Sequence, residues 1–502
     1  MNKALHAWLD IAAQSGDPIK ACTAAAEAVA HNPWDVVEQA GTLARAKLTF
    51  ASQDLGLTAD LRVRSVHAPN VVAQVEKGAP FPAIDRTGRK RKGAFDTPVA
   101  MARKTVEHAL QSATIPVNSG LDPSCGTGAF LVAMAERSIP TIHGIELDPS
   151  AAAVARVAAP TARVTEGDGF TADGTADMVV GNPPFVPPER QQKQLRTSLK
   201  RALPWLYGRF DLAVPFAAIA AERVRPGGGI ALILPAPMMV QPYAAPLRRI
   251  WVSNHRITHL STPAPFPGAT VEVVCIAMTL GQGPAPLPKH GLQAEELLTL
   301  DGVPLNASLQ PGDPELVHRI RAQSEVLGTL CTVDTGVVSH GPHGGKKVLL
   351  HPEPTADRVP YVDAKDLKQN KTQWLDYEPS KMHRAKDPSL FEGPKVLVQR
   401  LRGRGPVRAW VDHSGLYAGH TLTVVKPNAN SLSPEKVHRL ITDPLVDGFL
   451  RMERGTRLDL YPRDVRSIPV PTSWLGASET SLPMAWGLTP EETERLYFFS
   501  RQ

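Results

Sequence analysis

Cysteine is scarce in this 502-residue chain: there are four, Cys22, Cys125, Cys275 and Cys331, and none forms a C-x-x-C pair. That spacing excludes a disulfide framework and a thiolate zinc site, and it fits a reducing compartment. Long apolar runs are also missing. No stretch reaches the ~18 uninterrupted apolar residues of a membrane span. The N-terminal MNKALHAWLDIAAQ is broken by Asp10 before a signal-type core forms. The expected location is therefore the cytoplasm, with no membrane contact. Charge bias is slight: 55 Lys plus Arg against 49 Asp plus Glu give +6, which permits a polyanionic partner without requiring one. Internal repeats and low-complexity tracts are absent. An apolar fraction of 42 % with 21 % charged residues is that of a globular protein and excludes disorder. Proline is plentiful, at 47 residues spread along the chain, so turns are many. The length corresponds to about three domains at roughly 150 residues each.

Residues 1–90 read as a helical N-terminal extension. Asp17-Pro18 and Asn32-Pro33 each place a capping side chain before a proline at the first helical position. The run RTGRKRK (86–92) reads as a basic loop. From about residue 91 short apolar runs alternate with helical patterns: TIHGIELD (141–148), ADMVVGNPP (176–184), GGIALILP (228–235) and VEVVCIAMTL (271–280) lie between stretches such as PSAAAVARVA. This alternation predicts an α/β domain with a mostly parallel sheet over 91–282, with ligands at the carboxyl ends of its strands. GQGPAPLPKHG (281–291) reads as a linker to a mixed α/β body over 283–475, and 476–502 as a C-terminal tail. Residues 365–412 carry eleven Lys/Arg against six Asp/Glu, so the positive charge is expected mostly in that second body.

Four motifs carry chemistry. LDPSCGTGAFL (121–131) is a strand end, a glycine turn at Gly126 and Gly128, and a helix start, which lets backbone N–H groups approach a ligand. A dinucleotide fingerprint fails because its third glycine would fall on Leu131, and GPHGGKK (341–347) lacks the P-loop spacing. GIELD ends a strand in Glu146, placed to accept ribose hydroxyls. EGDGF supplies Asp168 for an exocyclic amine and Phe170 for a ring face. In GNPPF (181–185) the two prolines fix the backbone and remove donors. The Asn182 oxygen and a neighbouring carbonyl can then accept both protons of an amino group, with Phe185 stacking on its ring. His340 and His343 have no acid or cysteine cluster nearby and read as a loop, so no metal is expected.

The order FDTP (95–98), DPSCGTGAFL, GIELD, GDGF and GNPPF resembles the adenine-N6 DNA methyltransferases of restriction-modification systems in the gamma arrangement, over roughly residues 93–280. The resemblance implies a Rossmann-like, seven-stranded class I methyltransferase domain that binds S-adenosylmethionine. It implies cofactor contacts from Thr97, Asp122, Cys125 or its backbone, Gly126, Gly128, Glu146, Asp168 and Phe170. Asn182, Pro183, Pro184 and Phe185 would grip the target amine, and Phe266 would complete a sandwich of the flipped base with Phe185. Phe stands at 185 where Tyr is commoner, and Phe170 lies two residues after its acid, not one. More faintly, the C-terminal half resembles target recognition domains, ending in RGTRLDLYPRDVRSIPVP (454–471). This implies double-stranded DNA as partner, with Lys395, Arg400, Arg402 and Arg404 as DNA contacts, and allows a separately encoded restriction endonuclease. An RNA base or a protein glutamine is the alternative acceptor, and a catalytically silent DNA-binding subunit the more distant one.

Overall fold

The apolar runs become strands buried on both faces. In the computed structural model, ADMVVG forms β4 (Ala176–Gly181) with every residue buried, and VRPGGGIALILP forms β5 (Val224–Pro235) with its last eight residues buried. The structure describes residues 3–502 except 16, 46–48, 51–60, 64–65, 68–96, 172–173, 267–271, 339–345, 402–404, 430, 456–459 and 477–479. It divides into two units, Met1–Gln310 and Pro311–Gln502.

In the first unit, helices α1 (Lys3–Ser15) and α2 (Pro18–Glu27) are followed by a helical stretch through Pro33–Asp35, Val36–Ala40 and Gly41–Arg45. The Asp17 and Asn32 caps form as the sequence predicts, each accepting from N–H groups of the first turn. Beyond Arg45 the described residues of the extension are strand and not helix: Thr49–Phe50, Leu61–Val63 and Val66–His67 pair as short antiparallel strands. The basic run at 86–92 lies outside the described residues.

The main sheet is built from β1 (Ser119–Asp122), β2 (Thr141–Glu146), β3 (Arg163–Glu166), β4, β5, β6 (Arg256–Leu260) and β7 (Val273–Thr279), in the order β3-β2-β1-β4-β5-β7-β6. Neighbours are parallel from β3 to β5, and β7 runs antiparallel to both β5 and β6. This is the class I methyltransferase order. Helix α3 (Val99–Ser112) leads into β1, and α4 (Ala129–Glu136), α5 (Pro149–Ala158), α6 (Lys193–Ala202), α7 (Ala213–Glu222) and α8 (Ala245–Asn254) lie in the connections between strands. A side chain at Gly229 would lie 1.9 Å from the Ala109 carbonyl oxygen, so glycine there lets α3 lie directly on β5.

Residues 283–310 belong to the first unit, so the boundary falls about 28 residues beyond the one the sequence predicts. Proline and glycine at 281–291 read as a linker, but the segment after them is pinned to the turn that follows β5 and to α8. Leu305 N–H donates to the Met239 carbonyl at 2.8 Å. The fully buried Arg248 guanidinium donates to the carbonyls of Met238, Gln241, Gly302 and Val303, and its burial pulls the pKa down to about 9.

The second unit holds β8 (Cys331–Thr335), β9 (Leu350–His351), β10 (Val359–Val362), β11 (Gln373–Leu375), β12 (Lys395–Gln399), β13 (Ala409–Asp412), β14 (Tyr417–Ala418) and β15 (Leu422–Pro427), in two sheets ordered β8-β15-β12-β13 and β9-β11-β10-β14. Tyr361, Phe391 and Leu397 share one core between them. Helices α9 (Asp313–Ala322), α10 (Pro434–Thr442), α11 (Pro444–Arg454) and α12 (Pro490–Ser500) complete it. The last of these shows that 476–502 is no free tail. Leu496 and Phe499 are buried, Arg495 pairs with Asp313 at 2.6 Å, and a Cβ on Gly448 of α11 would meet the Leu496 carbonyl at 2.0 Å.

Within the first unit, His108 of α3 stacks on His259 of β6, with ring centroids 3.7 Å apart and planes at 15°. Burial holds both imidazoles below their ordinary pKa, and His108 further discourages protonation of His259. A folded-state value below the unfolded ~6.5 favours the neutral ring. The contribution to stability is then full above pH ~6.5 and lost as pH falls toward the depressed values. Thermal unfolding at pH 7.5 and 5.5 should accordingly show a smaller acid-induced drop in Tm for His259→Phe than for the wild type. Equal drops would contradict this reading.

Candidate active site

The strand ends converge where the parallel order places them. The β1 end carries Asp122, which is completely buried. Its Oδ1 accepts the Ser124 N–H at 3.0 Å. Among the described residues no protein donor reaches its Oδ2 or pairs with the buried Ser124 hydroxyl. Burial raises the Asp122 pKa to about 8, with the Ser124 N–H opposing and Glu146 adding to the shift.

Neighbouring loops close on this carboxyl. A Cβ on Gly181, at the end of β4, would lie 3.4 Å from Asp122 Oδ1, and one on Gly169 would lie 2.0 Å from the Pro123 carbonyl oxygen. Glycine in EGDGF thus has a steric cause, whereas at Gly181 a Cβ would make only an ordinary contact with the carboxyl. Gly126 and Gly128 adopt positive φ of 56° and 96°, the left-handed conformation that the turn into α4 requires. Glu146 accepts the Gly126 N–H on one oxygen and the Asp148 N–H on the other, each at 2.8 Å. A carboxylate has roughly four acceptor directions, so these bonds orient Glu146 without exhausting it. Asp168 is exposed and accepts the Phe170 N–H at 2.9 Å. Phe170 meets Phe216 edge-on at 4.6 Å.

Cys125 offers backbone rather than side chain to the loop wall. Its N–H donates to the Ile145 carbonyl at 2.9 Å. The thiol is buried against Gly144, which raises its pKa well above the ordinary range.

Asn182 donates its Nδ2 to Thr97 Oγ1 at 3.2 Å, which sets the amide orientation and ties the T-P segment to the N-P-P loop. Phe185 and Phe266 are both buried and meet edge-to-face, centroids 6.4 Å apart and planes at 71°. A base held between them needs parallel rings separated by two contacts of about 3.5 Å, so one ring must turn. Pro183 and Pro184 supply no N–H. The next residue, Val186, is clamped instead: its carbonyl accepts the Leu212 N–H at 3.0 Å and Gln191 Nε2 at 2.7 Å. Its N–H and that of Ala213 go to the Asp211 carboxylate, whose burial raises the pKa to about 6.

The motif reading does not include Leu147, Phe216, Gln191 and Asp211. Leu147 is 72 % exposed beside Glu146, an apolar residue that chain order alone marks as lying at a strand end. Asp211 precedes an apolar helical run and reads as an ordinary cap, because its bond to Val186 spans 25 residues.

The matching region is a known one. Residues 153–263, from α5 through β6 and including GNPPF, match the family described as Eco57I restriction-modification methylase. The chain contains a methylase domain of this kind. It is similar to the type II methyltransferase M.TthHB8I of Thermus thermophilus, at 23 % identity over 316 residues, covering 58 % of this chain and 71 % of that protein. It is also similar to the type II methyltransferase M.XhoI of Xanthomonas vasicola, at 26 % over 235 residues, covering 40 % of this chain and 43 % of that one. The match thus spans less than half the length of M.XhoI. Among solved structures, a cryo-electron-microscopy structure of a DrdV–DNA complex aligns over 94 % of this chain and 64 % of its own at 12 % identity, with a TM-score of 0.52, a likeness of fold.

Outside the methylase domain, the expected DNA contacts need correction. Lys395 is buried in the second unit: its Nζ donates to the Asp412 carboxylate and the Phe391 carbonyl, and Lys395 and Asp412 face each other across β12 and β13. Its charge is consumed inside the sheet and is not presented to a phosphate. Arg400 donates to the His420 carbonyl at 2.6 Å and lies 4.8 Å above the Tyr461 ring. Arg402, Arg404, His340 and His343 lie outside the described residues. No group of three or more metal-ligating side chains occurs among the described residues, and no helix there is long and apolar enough to cross a membrane. Removing one member of a buried ion pair leaves the other uncompensated, at a cost of about 3–5 kcal/mol. Lys395→Ala should therefore lower stability by that amount in denaturant titration; a variant as stable as the wild type would restore Lys395 to the surface.

Proposed function

We propose that the methylase domain transfers a methyl group from S-adenosylmethionine to the N6 amine of an adenine flipped out of double-stranded DNA, at sites chosen by the second unit. The observation that carries this is the bonded junction of the two motifs: Thr97 holds Asn182, and Gly181 abuts Asp122. The group that grips an amine and the group that takes a cationic cofactor therefore share one pocket wall.

The residues fit that cofactor. A fully buried carboxyl with an unmatched oxygen suits the ammonium of its methionine part, Glu146 suits a ribose, and Asp168 with Phe170, Phe216 and Leu147 suits an adenine. Bound S-adenosylmethionine supplies a methyl group on a sulfonium, which is electrophilic without acid catalysis. Asn182 Oδ1 and the Pro183 carbonyl accept the two amine protons and draw the nitrogen lone pair out of the ring. Phe185 and Phe266 exclude water and hold the base in line. Flipping costs a few kcal/mol, which stacking at about 1–3 kcal/mol per base and two hydrogen bonds offset. No strong base is required, since the amine loses its proton after attack.

Asn182→Ala should reduce transfer of tritiated methyl to DNA by about 100-fold or more, as for loss of a donor or acceptor aimed at the reacting centre, while cofactor affinity stays within a few-fold. Transfer at the wild-type rate contradicts the mechanism. Running RNA and protein extract beside DNA tests the other acceptors; label in either in place of DNA rejects the DNA reading.

Asp122 generates a second expectation. With a pKa near 8 its carboxyl is mostly protonated at pH 7, and a cation placed against it favours the ionised form. Cofactor binding should then release up to one proton, and affinity should rise with pH up to about 8 and level off above. Calorimetry in buffers of different ionisation enthalpy measures this; zero net proton release contradicts it.

A further inference from the structure

The excursion between the N-P-P loop and α7 differs in charge from the rest of its unit. Residues 190–209 hold Arg190, Lys193, Arg196, Lys200, Arg201 and Arg209 and no acidic residue, in a chain whose cations and acids nearly balance. Arg209 is engaged by Glu189, and Arg196 donates to the Pro188 carbonyl at 2.9 Å. Lys193, Lys200 and Arg201 are exposed on α6. With Gln194 and Thr197, also exposed, they follow the i, i+1, i+4, i+7, i+8 pattern of one helix face, while Leu199 turns the opposite face inward. At 1.5 Å per residue, Lys193 and Lys200 lie about 10.5 Å apart along the axis.

This face is rigidly mounted on the loop that would receive the base. Gln191, at the foot of α6, donates from one nitrogen to the Val186 carbonyl at 2.7 Å and to the Phe210 carbonyl at 2.8 Å, stapling the start of the excursion to its end. Leu199, Leu203 and Leu206 are buried beneath it. Tyr207, half exposed, donates its hydroxyl to the Pro242 carbonyl at 2.8 Å. A displacement of α6 would therefore move Val186, and Phe185 with it.

We infer that the exposed face of α6 is a second DNA surface, on the methyltransferase unit itself, which grips the phosphate backbone flanking the flipped base. The inference deepens the function proposed above and rests on it. Double-stranded DNA presents one negative charge per ~1.7 Å of axis, so three long cationic side chains over ~10.5 Å find several phosphates within reach. Gln194 and Thr197 add neutral donors of the kind that fix register on a backbone. A cationic face without carboxylates suits a polyanion. Mounting the grip on the base-binding loop couples backbone engagement to the place where the base must arrive.

The test is the triple variant Lys193→Ala, Lys200→Ala, Arg201→Ala in the full chain. All three side chains are exposed, so folding is spared, and unchanged cofactor affinity by calorimetry verifies it. Double-stranded DNA binding is read by fluorescence anisotropy from 50 to 300 mM salt. Each lost phosphate contact lowers the slope of log K against log salt by ~0.9, so the slope should fall by about 2–3 and affinity at 100 mM salt by about 10–100-fold. A slope and affinity equal to wild type overturn the inference, as does a loss confined to single-stranded RNA. The outcomes separate from those of the parent reading. A wild type that binds DNA through α6 but methylates no adenine keeps this surface and rejects the methylation reading. A triple variant that binds DNA normally in an active adenine methylase does the reverse.

Discussion

A carboxyl group buried at the end of β1 sets the terms for everything around it. Asp122 is wholly enclosed, and one of its oxygens is bonded by Ser124 while the other finds no donor among the described residues. Burying a carboxylate without a partner is costly, and the group responds by holding its proton, which is why its pKa lies near 8. A neighbouring loop gives way to this segment: Gly169 lacks a side chain where a Cβ would press on the Pro123 carbonyl. A protein tolerates such a site when a ligand of opposite charge completes it, and the cationic methyl donor proposed above is such a ligand.

From this point the chemistry is arranged by backbone and not by reactive side chains. Two prolines between Asn182 and Phe185 remove both donors and freedom, so the loop can be held only at its ends. Thr97 holds Asn182, and Gln191, Leu212 and Asp211 hold Val186. Between these anchors the acceptor groups and the Phe185 ring have little room to move. That preorganisation is what an amine attacking without a base requires. Phe185 and Phe266 pack edge-to-face on each other, so on the proposed mechanism a base enters only as one ring turns.

Much of this is legible in the chain because each motif is local: a strand end, its turn and the next helix start lie within about ten residues, and the parallel order then brings the ends together. Glu146 and Asn182 can be named from their places at strand ends, and Asp122 from the resemblance of its motif. Lys395 cannot be placed that way, because its partner Asp412 is 17 residues away on the facing strand and a basic residue in a basic region looks solvated. The unit boundary is hidden for a similar reason: proline and glycine at 281–291 look like a hinge, while the bonds of Arg248 to Gly302 and Val303 are visible only in three dimensions. The C-terminal segment looks like a tail because the burial of Leu496 and Phe499 depends on Gly448, nearly fifty residues earlier. The basic face of α6 disappears when charge is counted over whole bodies and not per helix.

One reaction product decides between the acceptors. Double-stranded DNA incubated with the full chain and S-adenosylmethionine, digested to nucleosides and resolved by mass spectrometry, should contain N6-methyldeoxyadenosine and no N4-methyldeoxycytidine. DNA that carries methylcytosine instead, or no added methyl group while RNA or protein in the same reaction becomes labelled, would contradict adenine methylation by this site.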